Sequence, residues 1–265
     1  MYEFLAAVIL GIVEGVTEFL PISSTGHLIL VGNLLEFTGE QVKTFDVVIQ
    51  LGAILAVVYL YWPRFRSLLT KKQEQKFSGP FALWLLFLTT LPAGLMGLIG
   101  YSAIKEHLFA PQPVAWALGI GALGILLVES IKRNPRYQGL DDLSQGLALG
   151  IGLFQCLSLW PGFSRAAATI MGGMFLGAER KLAAEYSFIS AVPIMFAASA
   201  YDIYKSWQIF SGLDWSLLLV GFVVSFFTAI LAIKGFIHLL SRFTLRPFAY
   251  YRLAMAPLII IFWGA

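Results

Sequence analysis

Six stretches of this chain, at roughly 45–62, 81–103, 113–131, 182–204, 215–240 and 248–263, stay apolar for close to the ~20 residues that cross a bilayer. Lipid gives the backbone no hydrogen-bond partner, so such a segment must satisfy its amides internally, and that selects the helix. A membrane barrel would alternate polar and apolar residues in segments of about ten; here the apolar runs are continuous. Only 12% of the 265 residues are charged, about half of the ~25% that coats a soluble domain. That shortage excludes an ordinary soluble enzyme, a nucleic-acid binder and a disordered chain. The single cysteine, Cys156, permits neither an intrachain disulfide nor a zinc cluster and reads as apolar filler. The N-terminus carries an acid, Glu3, where a cleavable signal peptide would have a basic region, so no such peptide is expected.

Two further apolar regions, about 4–35 and 143–177, are long enough to span but are interrupted by TEFLPISSTGH and LWPGFSRAAAT. Proline, hydroxyls, His and Arg at membrane depth are tolerated only where backbone is buried in protein or lines a polar cavity. Both regions are therefore expected to be re-entrant helical hairpins. With that folding, twelve Lys and Arg of the 63–80, 132–142, 178–181 and 241–247 connections fall on one side and only Lys43, Lys105 and Lys205 on the other. The cation-rich side marks the cytoplasm. The first hairpin then enters from outside and the second from the cytoplasm, each followed by three spans, which is an inverted-topology repeat. The expected fold is an all-α polytopic membrane protein, one membrane domain over 1–265, with six transmembrane helices and two re-entrant hairpins. The first repeat is 1–131 and the second 132–265. Faint echoes pair Pro21-x-x-Ser24 with Pro161-x-x-Ser164, and Asp46 with Glu185.

Ionisable side chains inside apolar segments are functional candidates by default. Glu14 and Glu18 are four apart and share a helical face. Two carboxylates so placed suit a divalent cation held by oxygen ligands, or a general base. After Pro21, the run Ser23-Ser24-Thr25-Gly26-His27 leads into apolar sequence, a helix start capped by Ser whose free N–H groups suit an anion. Ser24 and His27 lie three apart on that helix, which places a hydroxyl and an imidazole at one pocket. The second hairpin repeats the device: Gly162 and Ser164 lead into a helix carrying Arg165 and Thr169, and Arg165 can grip phosphate oxygens through paired hydrogen bonds. Together these groups suit a phosphate or diphosphate. Asp46, Gln50 and Glu185 are expected to brace the hairpins. Asp141 and Asp142 are read as a cap for the second hairpin. Glu129, Asp202, Lys205 and Arg252 fall near span ends, where long side chains reach the interface. The glycines of GIGALGIL and GLALGIGLF read as close helix packing.

EGVTEFLPISSTGH at 14–27, FDVVIQLGAILAV and LWPGFSRAAAT at 159–169 closely resemble the undecaprenyl-diphosphate phosphatase family of bacterial inner membranes, and the likeness covers almost the whole chain. One departure is Ala166-Ala167 after Arg165, where the family usually has Ser-Gly. The resemblance implies hydrolysis of undecaprenyl diphosphate to undecaprenyl phosphate, regenerating the lipid carrier of peptidoglycan and other cell-wall polymers. It further implies bacitracin resistance, a divalent cation (Mg or Ca) and a site facing the periplasm. It places the family's acidic motif on Glu14 and Glu18, its hydroxyl-histidine motif on Ser24, Thr25 and His27, and its basic motif on Ser164 and Arg165. On that basis Glu18, Ser24, His27 and Arg165 are expected to be catalytic; Ser23, Thr25, Gly26, Gly162, Ser164 and Thr169 bind substrate; Glu14 and Glu18 hold the metal. Ser24, His27 or water is left open as the nucleophile. The expected partners are the prenyl diphosphate lipid and the bilayer, with no nucleic acid and with a homodimer allowed. The alternative is a lipid-phosphate flippase using the same site.

Overall fold

A computed structural model of the chain describes residues 2–70, 74–131, 134–205 and 215–263. Lys71, Lys72, Lys132 and Arg133, four of the cations that orient the chain, lie outside the described residues, as do the side chains of Lys43 and Lys105. The described residues form helices and the turns that join them, with no strand beyond one isolated bridge between Tyr137 and Ala178.

Among the described residues four helices are long and apolar enough to cross a bilayer: α5 (Gly79–His107), α6 (Pro111–Ser130), α9 (Arg180–Lys205) and α10 (Trp215–Leu240). A fifth span is reached only by taking α3 (Glu40–Leu60) together with the short α4 (Trp62–Leu68), to which it is joined by a bend of 82°. Pro63 explains the bend: it has no N–H to continue the ladder, and its ring would strike the carbonyl four residues back. The last expected span is helical as α11 (Arg246–Trp263). The chain is a multi-span membrane protein, as its composition requires.

The two interrupted regions fold as pairs of helices. The first comprises α1 (Tyr2–Thr17) and α2 (Ser24–Leu34); the second comprises α7 (Gln145–Gln155), a 3-10 turn over Cys156–Leu159, and α8 (Arg165–Phe175). At 11 residues each, α2, α7 and α8 are about 16 Å long, half the thickness of a hydrocarbon core. Residues Ala166–Gly173 of α8 are all buried, so this helix sits inside protein rather than against lipid. Ser144, not Asp141 or Asp142, caps α7, through Leu147 N–H to Ser144 Oγ at 3.2 Å. Asp142 instead accepts from the N–H groups of Gln138 and Gly139, each at 2.9 Å, which holds its carboxyl below the usual range. Asp141 accepts from Phe77 N–H at 2.7 Å and so ties that connection to the start of α5.

The packing has a paired pattern. α1 lies against α10 and α7 against α5; α2 touches α11 and α8 touches α6; α3 packs on α9 and α6 on α11. The α1–α10 and α7–α5 contacts require glycine: a Cβ on Gly15 would lie 2.0 Å from Thr228 Oγ1, and one on Gly152 would lie 2.6 Å from the Thr89 carbonyl. The GLALGIGLF segment thus does serve close helix packing, for a reason of space rather than flexibility.

Candidate active site

Both helix starts inside the fold are built in the same way. Ser23 precedes α2 with φ 73° and accepts from Gly26 N–H at 3.3 Å; Ser164 precedes α8 with φ 74° and accepts from Ala167 N–H at 3.2 Å. A non-glycine residue held at positive φ costs ~1–3 kcal/mol, and such strain gathers at functional sites. The geometric counterpart of Ser164 is therefore Ser23, one residue before the serine that the sequence echo selects, and Arg165 corresponds to Ser24.

These two first residues meet at one carboxylate. Ser24 Oγ donates to Glu18 Oε2 at 2.5 Å, and Arg165 Nη2 donates to Glu18 Oε1 at 3.0 Å. A cavity of about 180 Å³ opens beside them, lined by Glu18, Ser23, Ser24, Thr25, Gly162, Ser164 and Arg165 among the expected residues. Gln50, Ser158, Pro161 and Met195 complete the lining. The N–H groups in the first turn of each helix have no partner within their own helix, so the cavity sits between two positive dipole ends.

Both terminal nitrogens of Arg165 are held, while its Nε is buried without a partner. Nη1 donates to Ser187 O at 3.1 Å and to Ser187 Oγ at 3.3 Å; Nη2 also reaches Met195 Sδ at 3.4 Å; the Phe19 ring lies 5.6 Å from Cζ. Thr169 stands outside the cavity lining. Its Oγ1 donates to the Arg165 carbonyl at 2.9 Å and accepts from Ser187 Oγ at 2.6 Å, so it closes a ring of hydrogen bonds that fixes the guanidinium.

His27 also stands outside the lining. Its Nδ1 is 2.7 Å from the Ser23 carbonyl, which can only accept, so Nδ1–H donates there. Nε2 lies 2.6 Å from Tyr251 OH, and the two rings stack with centroids 5.5 Å apart. In the neutral ring both nitrogens are thus engaged, one of them in holding the strained Ser23. Gly26 contributes its N–H to the Ser23 cap.

Glu14 is 1% exposed, and neither carboxylate oxygen has a hydrogen-bond partner; its charged neighbours are Glu18, Asp46 and Arg165. An isolated buried carboxylate is costly unless a proton or cation joins it. Asp46 has one oxygen in the same condition. Glu185, expected to brace the hairpins alongside it, lies two residues before Ser187 on α9, and its charged neighbours are Lys181, Arg64 and Glu179.

The chain matches the family described as "Bacitracin resistance protein BacA" over residues 7–258. It belongs to the BacA family. Relatives named "Undecaprenyl-diphosphatase" share this length: that of Maridesulfovibrio salexigens is 63% identical over 264 residues, covering 100% of both chains. That of Solidesulfovibrio magneticus is 64% identical over 263 residues, covering 99% of both, and that of Nitratidesulfovibrio vulgaris strain DP4 is 60% identical over 262.

Within this BacA chain, several residues of the site escaped the sequence reading. Ser187 and Met195 lie in an apolar helix and carry no motif; only the fold brings them to Arg165. Arg252, expected to reach the membrane interface, is fully buried and points inward. Glu129 likewise forms an internal pair, accepting Arg180 Nε at 2.8 Å and Nη2 at 2.7 Å. Ala166 and Ala167, which replace the usual Ser-Gly, are fully buried in the core and do not line the cavity.

Proposed function

We infer that this chain is an undecaprenyl-diphosphatase, cleaving the bond between the bridging oxygen and the terminal phosphorus of undecaprenyl diphosphate to give undecaprenyl phosphate and inorganic phosphate. The observation that carries this is its full-length similarity to relatives of that name. The cavity between the helix starts is the proposed site. A carboxylate, a hydroxyl and a guanidinium meeting at two helix N-termini supply a base, a nucleophile and charge stabilisation, as phosphoryl transfer needs.

In the proposed path the terminal phosphate enters between α2 and α8 and takes up Arg165 and the free N–H groups. Ser24 Oγ attacks phosphorus as its proton passes to Glu18, and the lipid phosphate leaves with that proton. Water, deprotonated by Glu18, then attacks the phosphoserine, and Ser24 Oγ recovers a proton as inorganic phosphate departs. The 2.5 Å Ser24–Glu18 contact supports this assignment, because nucleophile and base are already in hydrogen-bond reach. The engagement of both His27 nitrogens supports a positioning role for the imidazole.

The unpartnered oxygens of Glu14 fit a divalent cation, magnesium or calcium. Among the described residues no group of three or more His, Cys, Asp or Glu gathers around such a site. Glu14 and Glu18 would therefore share the ion with substrate oxygens and water, the usual habit of magnesium. Bound there, it would neutralise charge on the diphosphate.

The paired packing supports two re-entrant hairpins in an inverted repeat. Ser23 and Ser164 are 141 positions apart in sequence, as are Gly11 and Gly152 at the tight helix contacts and the buried Glu14 and Gln155. The proposed setting is the bacterial inner membrane, with the cation-rich connections in the cytoplasm and the site open to the periplasm. The test is phosphate release from undecaprenyl diphosphate by purified protein with and without chelator. Release unchanged in both E18A and R165A would place the chemistry elsewhere.

A further inference from the structure

Arg252 on α11 is 0% exposed, and among the described residues it has no carboxylate partner. All five of its N–H groups instead go to backbone carbonyls. Nη1 donates to Pro21 O at 3.1 Å and to Phe163 O at 2.8 Å; Nη2 donates to Gly162 O at 3.3 Å and to Ala117 O at 3.1 Å; Nε donates to Leu118 O at 3.1 Å. Three of those carbonyls lie in the breaks, Pro21 two residues before Ser23, and Gly162 and Phe163 just before Ser164. The other two belong to α6. One planar group thus joins both breaks to each other and to the helix behind them. Gly121 makes the room: a Cβ there would lie 2.1 Å from Nη2.

We propose that Arg252 is a positioning residue that sets the spacing between the starts of α2 and α8, and so aligns Ser24 and Glu18 with Arg165. It does not line the cavity. Its effect on the reaction is indirect, through backbone that is held in a strained conformation on both sides. An uncompensated charge in the interior is the means: a guanidinium without a counterion gains its stability only by saturating its donors, and five fixed donors impose one arrangement on the carbonyls around them. Lysine, with three donors on a flexible stem, cannot reproduce that fork. The proposal rests on reading the cavity as the phosphatase site.

The experiment uses the full-length protein in detergent, with undecaprenyl diphosphate as substrate, and compares R252K, G121A, their double variant and R165A. Misalignment by about 1 Å costs on the order of a hundredfold in rate. R252K is therefore expected to lose at least tenfold in kcat while KM stays within about threefold, because the groups that bind the diphosphate are all still present. G121A, which keeps the arginine but displaces it, should lose kcat in the same way. The double variant should be no worse than the worse single one, since both remove one interaction. A folded R252K with kcat within twofold of wild type overturns the proposal, and so does an additive double variant. If neither single variant folds, Arg252 serves folding alone and the proposal is rejected. R165A keeps the two readings separate: full activity there removes the site itself, whatever Arg252 does.

Discussion

Glu18 and Arg165, 147 residues apart in sequence, are joined by a 3.0 Å ion pair that closes the start of α8 onto the end of α1. The same contact shields the guanidinium that the proposed mechanism gives to phosphate. Substrate would therefore exchange one anion for another at Arg165 and release Glu18 to act as base.

Breaking this pair from one side should be costly. Both side chains are largely out of solvent, at 11% and 6% exposure, so R165A leaves Glu18 uncompensated and is expected to lose up to ~3–5 kcal/mol of stability. E18Q/R165M should recover part of that loss and none of the activity. Thermal unfolding in detergent alongside phosphate release checks both halves; a double variant no more stable than R165A contradicts the first.

The nucleophile can be read from a trapped intermediate. Substrate labelled in its terminal phosphate should leave an acid-stable phosphoserine on the wild-type chain and none on S24A. S24A should fall by at least a thousandfold in kcat, about the scale of removing an activated nucleophile. An acid-labile adduct that survives in S24A and disappears in H27Q would move the role to His27.

Glu14 predicts opposite effects on stability and activity. Replacing an unpartnered buried carboxylate by an amide removes a buried charge, so E14Q is expected to be as stable as wild type or more so, by up to ~3 kcal/mol. It should at the same time lose chelator-sensitive phosphate release. Millimolar magnesium or calcium should raise the melting temperature of wild type and leave that of E14Q unmoved. A wild-type melting temperature indifferent to both ions counts against a metal here.

The serine caps separate strain from hydrogen bonding. S164A loses the cap to Ala167 N–H, worth about 0.5–2 kcal/mol, and keeps the unfavourable φ of 74°. S164G loses the same cap but relaxes the backbone, so it should be the more stable of the two by roughly 1 kcal/mol. Equal melting temperatures would show that no strain is held there.

Orientation is open to a labelling test. In a C156A background, a cysteine at the exposed Glu74 should resist a membrane-impermeant thiol reagent in intact cells and react in inverted vesicles. Ready labelling from outside would reverse the proposed topology and the periplasmic site with it.

Much of this protein is legible without its structure because lipid removes alternatives. A long apolar run has one way to satisfy its amides, so the helices at 81–103, 113–131, 182–204 and 215–240 follow from length and composition alone. Polar residues and proline can survive at that depth only inside protein, so the two breaks announced themselves as well. Glu18, Ser24 and Arg165 were visible for the same reason: each is a polar group at a break in an apolar run.

What sequence could not decide is which polar groups face one another. Arg252 sits two turns into an apolar helix, with no acid near it along the chain; its five partners are backbone carbonyls, which every residue has and no residue type advertises. Ser187 meets Arg165, and Tyr251 meets His27, only because α9 and α11 are packed against the breaks. Composition and periodicity determined that the chain is helical, membrane-bound and broken at two points. Tertiary structure decided the rest, since hydrogen bonds between segments depend on distance in space, and the sequence records only distance along the chain.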